Sequence, residues 1–517
     1  MSMRPKGFSR MYQAARTDLL TADWNISITS ANAENLVSAI AIRARMRQLE
    51  RDEAYFRRML RLYQNNVVGH RGFRLKKVTG IDGAYDRDIS KKVRAAWHEY
   101  LLPENCTTYG NMSGVQVQRL GVRCFKRDGV ILFREHIGPQ FPFGYALEPI
   151  EVDRLDHWWN RPAVGTANQI QFGIEMDRLK KPLAMWILTR HPGDVFAWRT
   201  GPEYRERVPA GEVIMWHDFD RAEQIIGMPD LCAVACRMNM LSKYEESEAV
   251  ASRAAAAKGG WFKRMGTEAK YEGPETPGGD KIMDATPGEW EELPIGMEPV
   301  ERNPTHPNDA YPDFIKGQLR GASAGAGLSY NAVANDLEGV NYSSIRAGLL
   351  EDREQFKYDQ ELGISSLMNR WYEGWMPMAV LSGRLELTVK EMDRARRAHW
   401  QPRRWDWVDP VKDVTGKVME MEAHITPLRR IISEDEDGGD IEEILAEMQE
   451  DMEMAEEYGI DISGQVSTPK IPPGEPGEDA PAQNGNGKGK KSNGHVDVGA
   501  ALRTMEKYAR FAANDPE

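Results

Sequence analysis

GAGLSYNAVANDLEGVNYSSIRAGLLEDREQFKYDQELGISSLMNRWYEGW, residues 325–375, is the stretch whose reading decides the fold. It opens on small residues, passes through a polar loop carrying Asn335, Asp336, Glu338, Gly339 and Asn341, and then takes on a helical pattern. Ser343 suits the N-cap, since its hydroxyl can accept from the unpaired N–H groups of a first turn. Ile345, Leu349, Phe356, Leu362, Leu367, Trp371 and Trp375 follow at helix-compatible spacing. The expectation is a long helix entered from an exposed loop.

Three further pieces lie around this one. RARMRQLERDEAYFRRMLRLYQNNVVGHRGFRL, residues 43–75, reads as an arginine-rich helix, a Val67-Val68-Gly69 turn and a strand. VPAGEVIMWHDFDRAEQIIGMPDL, residues 208–231, carries Arg221, Gln224, Gly227 and Pro229. WDWVDPVK, residues 405–412, is followed by Gly439, Asp440 and Glu443. With the run Tyr342, Ser343, Ser344, Arg346, these pieces resemble, in order, the portal proteins of lambda-type tailed bacteriophages. The likeness departs at Asp52 and Glu53, which stand where that family usually has an Asn-rich pair.

Composition sets limits of its own. With 517 residues, 41% hydrophobic and 28% charged, the chain can bury two or three cores. Cys106, Cys124, Cys232 and Cys236 form no CxxC pair, which points away from a disulfide framework or a zinc finger and toward a reducing compartment. Cys232 and Cys236 lie on one face of an expected helix and read as small core residues. No stretch reads as a signal peptide or a membrane span. The net charge of −12 is concentrated: residues 434–461 hold fourteen acids and no Lys or Arg, so the rest is close to neutral. A basic surface of the kind that grips nucleic acid is not indicated.

The pattern along the chain is α+β and mainly helical. Residues 1–30 read as a flexible arm. Leu36, Ile40, Met46, Leu49, Phe56 and Leu60 mark one or two helices, with Arg43, Arg45, Arg47, Arg51, Arg57, Arg58 and Arg61 on solvated or interface faces. A helix near 88–100 and the strand-like runs VILFREHI and LAMWILTR follow. From Pro229 to Lys258 the spacing predicts one long helix, with Pro229 in its first turn, a stripe of Leu231, Val234, Met238 and Leu241, an alanine-rich second half and a stop at Gly259 and Gly260. It suits either close packing of like helices around a ring or the core of a large domain. Residues 259–304 hold fourteen Gly or Pro with Trp261, Phe262 and Trp290, which predicts strands and loops. A helix returns over 308–322. Amphipathic helix is expected again over 405–458, disorder over 469–496, and a short terminal helix over 497–513, frayed or docked on a partner.

Two motifs bear on chemistry. Gly321, Ala322, Ser323, Ala324 and Gly325 spell G-x-S-x-G, the nucleophile elbow of serine hydrolases. That chemistry needs a sharp strand-to-helix turn, whereas the preceding FIKGQLRG reads as helix; the other use of these residues is a flexible joint. No phosphate-binding P-loop and no HExxH occurs, so neither a cofactor, a metal nor an enzymatic activity is expected, and any ATP hydrolysis belongs elsewhere. Lys316 and Arg320, one turn apart before the loop, are either a sparse cationic ring or surface charges. A wall crowded with cations would hold duplex DNA, and a neutral or acidic one lets it slide.

The resemblance implies a wing at 31–228, a stem of two helices at 229–258 and 308–325, a strand-and-loop clip at 259–307, a channel loop at 326–343, a channel helix returning to the wing at 344–404, a helical acidic crown at 405–465 and a tail at 466–517. It implies a ring of about twelve copies at one capsid vertex of the virion, assembled in the host cytoplasm, through which double-stranded DNA enters and leaves without sequence specificity. DNA would pass Lys316, Arg320, Asn335, Asp336, Glu338, Gly339 and Asn341. Terminase large subunit and head-completion adaptors would meet Trp261, Phe262 and Trp290, and capsid or scaffold protein the wing and crown. A hydrolase built on Ser323, or another virion scaffold or adaptor protein, are the competing readings.

Overall fold

The computed structural model describes residues 27–165, 167–194, 204–256, 260–264, 297–301, 311–338, 342–405, 410–428, 430–431 and 441–457. They fall in two units, residues 1–402 and 403–517.

In the first unit the arginine-rich stretch makes two helices, α1 (Ala31–Asp52) and α2 (Ala54–Tyr63). The break falls at Glu53, whose carboxylate accepts from the backbone N–H groups of Tyr55 and Phe56 and so caps α2. The departure from the family pattern at this position is thus a capping residue, 4% exposed. Several arginines also differ from expectation. Arg43 is 2% exposed, donating to the Asp128 backbone carbonyl at 3.2 Å, and Arg47 pairs with Asp128 and Asp153. Glu50 receives Arg123 and Arg127. These side chains are inward because carboxylates distant in sequence meet them there; a buried charge needs such a partner.

A π-helical turn over Gln64–Val68 ends at Gly69, and β1 (Arg74–Thr79) follows. The wide turn leaves carbonyls that α-helical bonding would have used, and Gln360 donates to those of Asn66 and Val67, both at 3.2 Å. Next come α3 (Arg87–Tyr100), α4 (Pro103–Cys106) and α5 (Gly114–Asp128). The last begins in a capping box of Ser113 and Gln116 and stops at left-handed Gly129.

Strands β2 (Val130–Ile137), β3 (Tyr145–Ile150), β4 (Gln169–Gln171), β5 (Ile174–Met176), β6 (Pro182–Leu188), β7 (Arg205–Pro209) and β8 (Val213–His217) build two antiparallel sheets. Their orders are β3-β2-β8 and β4-β5-β6-β7. Val130, Leu132, Ile150, Leu155, Phe172, Ile174, Met185, Ile187 and Val208 form one apolar core across both.

The long helix α6 (Cys232–Ala256) begins three residues after Pro229, so this proline precedes the first turn instead of entering it. Leu231, Val234, Met238 and Leu241 are all buried, as their spacing requires. Cys232 and Cys236 are exposed, contrary to their reading as core residues. At 1.5 Å per residue α6 spans about 37 Å. Strands β9 (Gly260–Arg264) and β10 (Met297–Glu301) pair antiparallel, with Trp261 opposite Val300 and Phe262 opposite Pro299. Helix α7 (Tyr311–Ala326) then packs along α6, joined by Arg237 to Gln318 at 3.0 Å and by Tyr244 against Tyr311 and Phe314.

After α8 (Tyr330–Ala334) comes α9 (Tyr342–Gly363), which runs through a π-helical turn, Ile364–Met368, into α10 (Asn369–Leu381). Phe356, Leu367, Trp371 and Trp375 are buried, whereas Leu349 is on the surface. Trp371, Tyr372 and Trp375 join Trp97, Tyr100 and Phe143 in an aromatic cluster, with Trp97 and Trp375 4.9 Å apart edge to face. Trp371 Nε1 donates to the Tyr100 hydroxyl at 2.9 Å. The unit closes with α11 (Val389–Arg394) and β11 (Arg397–Gln401), which pairs antiparallel with β1.

One ionic contact joins most of these parts. Lys126 of α5 is 1% exposed; its Nζ lies 2.9 Å from Asp359 of α9, 2.7 Å from Asp230 at the entry to α6, and 4.4 Å above the Tyr63 ring of α2. The second unit contains α12 (Pro410–Glu422), starting on a proline as first turns tolerate, and α13 (Ile441–Glu457) in the acidic segment. The described chain is therefore mixed helix and sheet with helix predominant. Of the expected arm at 1–30, residues 1–26 lie outside the described residues, as does the expected tail at 466–517.

Lys126→Met strands Asp359, itself 1% exposed, without its counter-charge, and should cost about 3–5 kcal/mol in urea unfolding at pH 7. Adding Asp359→Leu should restore most of that loss. Burial pushes the Asp359 carboxyl up to about 6 against the pull of Lys126. An acid raised on folding stabilises the fold below its unfolded value and loses this as pH rises through its folded value. Without Lys126 the carboxyl rises further, so the deficit of Lys126→Met should shrink from pH 7 to pH 5. An equal deficit at both would contradict the burial of an unpaired carboxylate.

Candidate functional site

The turn from α7 to α9 holds most of the residues singled out by the sequence. Helix α7 stops because Gly327 takes φ +64° and the Leu328 N–H reaches back to the Ser323 carbonyl at 3.0 Å. The Tyr63 hydroxyl donates to the Ala326 carbonyl beside it. Ser329 then donates twice to Asp352 of α9, from its N–H at 2.9 Å and its hydroxyl at 2.7 Å. Asp352 is 7% exposed, and burial raises its pKa against those two hydrogen bonds.

Helix α8 follows as a single turn, docked against α2 and α7 with Val333 fully buried. It ends at Asn335 with φ +55°, a left-handed conformation that asparagine tolerates better than most residues. The first part of the expected 326–343 loop is therefore a packed element. The pattern Leu328, Val333 is too short to show a periodicity, which is why the sequence reads as loop.

The charges at this turn meet one another. Lys316 Nζ lies 3.9 Å from Asp336 and 3.6 Å from Glu338. Arg320 sits over the Tyr330 ring at 5.5 Å, and the Tyr330 hydroxyl donates to Asp336 at 2.8 Å. Hydrogen bonds from the Glu338 N–H and from Tyr330 hold the Asp336 carboxyl below the usual aspartate value. All are surface contacts that a change of partner can redistribute. Arg58 of α2 donates from Nε to the Ala332 carbonyl at 2.7 Å and from Nη2 to Asn335 Oδ1 at 3.4 Å.

The G-x-S-x-G run has the wrong setting for a nucleophile. Ser323 lies inside α7, not on a strand-to-helix turn, and is 2% exposed. Among the described residues its Oγ has no hydrogen-bond partner. A nucleophilic serine would also need a histidine later in the chain, and His399, which follows the motif, lies 3.0 Å from Thr79 on the β1–β11 pair.

A family model described as phage portal protein, lambda family, matches residues 17–360. The chain belongs to the lambda family of phage portal proteins. The probable portal protein of Halomonas phage phiHAP-1 is 29% identical over 464 residues, covering 87% of this chain and 88% of that protein. Portal protein B of Escherichia phage lambda is 22% identical over 495 residues, covering 83% and 87%. Among solved structures, a chain from the neck of an empty GTA particle shares 12% identity over 76% of this chain and 89% of that chain, with a TM-score of 0.41. A chain from the virion of the native gene transfer agent particle shares 10% identity over 76% and 94%, with a TM-score of 0.40.

In this portal protein, a structural component of the virion by its family, the turn brings Lys316, Arg320, Asn335, Asp336 and Glu338 together. Gly339, Asn341 and Trp290 lie outside the described residues, and Trp261 and Phe262 stand at successive positions of β9, far from the turn in sequence. Sequence reasoning placed Arg58 on a solvated or interface face without linking it to the turn, and missed Ser329, Tyr330 and Asp352. Tyr330, six positions from Asp336, was within local reach in the sequence; the pairing of Arg58, 274 positions from Ala332, was not. No described helix is long and apolar enough to cross a membrane.

Because Ser323 is buried within a helix, a fluorophosphonate probe should leave it unlabelled in the folded chain. Stoichiometric adduct at Ser323 by peptide mass spectrometry would reopen the hydrolase reading.

Proposed function

We propose that copies of this chain form a ring of about twelve at one capsid vertex, through whose axis double-stranded DNA is packaged and later released. The family match over residues 17–360 carries this reading. Within it, residues 31–228 serve as the wing, α6 and α7 as the stem (229–258 and 308–325), and 259–307 as the clip that meets terminase and head-completion proteins through Trp261, Phe262 and Trp290. Residues 326–343 line the channel, 344–404 carry the chain back to the wing, and 405–465 form the acidic crown near capsid or scaffold protein and packaged DNA. An antiparallel helix pair interrupted by a two-stranded excursion is what a stem with a clip at its tip requires, and the α6–β9–β10–α7 order supports it.

The channel surface works by lacking grip. Each phosphate neutralised by a protein cation adds salt-dependent affinity, and a ring repeats every such contact around its axis. Asp336 and Glu338 lie against Lys316, and Arg320 lies against Tyr330, so the cations before the loop are already answered by their own chain. This favours a DNA path that neither holds nor reads the duplex.

Negative-stain electron microscopy of the purified chain should show end-on rings of about twelve subunits with an axial opening as wide as duplex DNA. A monomer or compact dimer at micromolar concentration would overturn the ring. Asp336→Lys combined with Glu338→Lys should free Lys316 and add further cations, slowing DNA packaging most at low salt. Packaging at the wild-type rate irrespective of salt would remove these residues from the channel.

A further inference from the structure

Two contacts from α2 reach the turn from outside the hairpin of α7, α8 and α9: Tyr63 at the end of α7 and Arg58 at the end of α8. Helix α8 has five residues and can close only about one turn, so its last carbonyls have no partner within it. Arg58 supplies one, to Ala332, and adds a longer contact to the side chain of Asn335, where the backbone turns left-handed. The base from which it reaches is fixed, because Phe56, Met59, Leu60 and Tyr63 on the other side of α2 are at most 1% exposed. Over the described residues 336–338 the contacts are at the surface: Leu337 is 66% exposed, Asp336 meets Lys316 and Tyr330, and Glu338 meets Lys316.

We propose that Arg58 is a positioning residue for the channel loop: by pinning the C-terminal end of α8 to α2, it sets the direction in which residues 336–338 leave that helix. Arg58 does not touch DNA in this scheme; it acts through Ala332 and Asn335. A lysine can reach the same carbonyl but offers no planar fork to engage both acceptors at once. The consequence for packaging rests on the channel reading given above, whereas the pinning itself does not.

The test uses the full-length chain with Cys232→Ser and Cys236→Ser, since Cys106 and Cys124 are buried, and a nitroxide spin label on Leu337→Cys. The parent should show an immobilised spectral component. Arg58→Met, which keeps the alkyl stem, should lose that component with little change in thermal midpoint, because Arg58 is exposed; Arg58→Lys should recover part of it. An unchanged spectrum in Arg58→Met overturns the proposal, as does a lowered thermal midpoint without a change in mobility, which would make Arg58 merely structural. Unlabelled Arg58→Met is then assembled into particles and its packaged DNA measured. Reduced DNA content together with increased mobility supports both the pinning and the channel reading. Increased mobility with normal DNA content leaves the pinning in place and overturns the DNA-facing role of the loop.

Discussion

The ammonium of Lys126 is the point on which the first unit depends. It is buried, and burial alone works against its charge; Asp359 and Asp230 outweigh that cost and keep its pKa above the ordinary lysine value. The carboxylates come from the entry to the long helix α6 and from α9, and the ring beneath the ammonium belongs to α2. An apolar plug of equal volume would hold these elements together as well or better. What it would lack is direction, since a buried ion pair is satisfied only at one separation and one angle. Four elements that meet on a single ammonium cannot slide past one another by a helical turn without stranding a charge.

Packing around this point is tight enough to need glycine. Trp216 of β8 lies between α5 and α9, and a Cβ built on Gly121 or Gly363 would approach its indole to 2.5 or 2.8 Å. No real side chain tolerates such distances, so both helices reach the sheet only because these positions carry none. The wide π turn immediately after Gly363 then brings Leu367 and Trp371 inward, extending the buried face of α9 into the aromatic cluster.

The long elements were legible because they carry a period. Leu231, Val234, Met238 and Leu241 announced the buried face of α6, and the Tyr-Ser-Ser-x-Arg run announced the start of α9, although Ser343, expected as its N-cap, lies one residue inside the helix. Charged residues were misread for one recurring reason. A binary pattern assigns every arginine and glutamate to solvent, yet Arg43, Glu50 and Glu53 are buried, each by a partner or a backbone duty that hydropathy does not encode. Arg43 and Asp128 are 85 positions apart, and nothing local marks either one. Cys232 and Cys236 fail in the opposite sense: being small and apolar, they were given to the core, but they lie on the exposed side of the same helix whose other side is the stripe. Helix α8 escaped detection because five residues cannot display a helical period.

The charge arrangement of the turn and the burial of Lys126 are two answers to one constraint. A cation inside the fold must be paired because water is absent, and its partners then fix geometry. At the turn, water is present and each pairing is weak, so it fixes little; in the proposed channel its effect would be to lower the field that a passing polyanion meets. The two places share α2. On one side of this helix Tyr63 lies under Lys126 and donates to the carbonyl that ends α7; on the other Arg58 holds the end of α8. The rigid charge therefore sets where α2 lies, and α2 sets where the turn begins. In the proposed channel, a loop of weak contacts thus gains a defined pose from a buried ion pair that the DNA never meets.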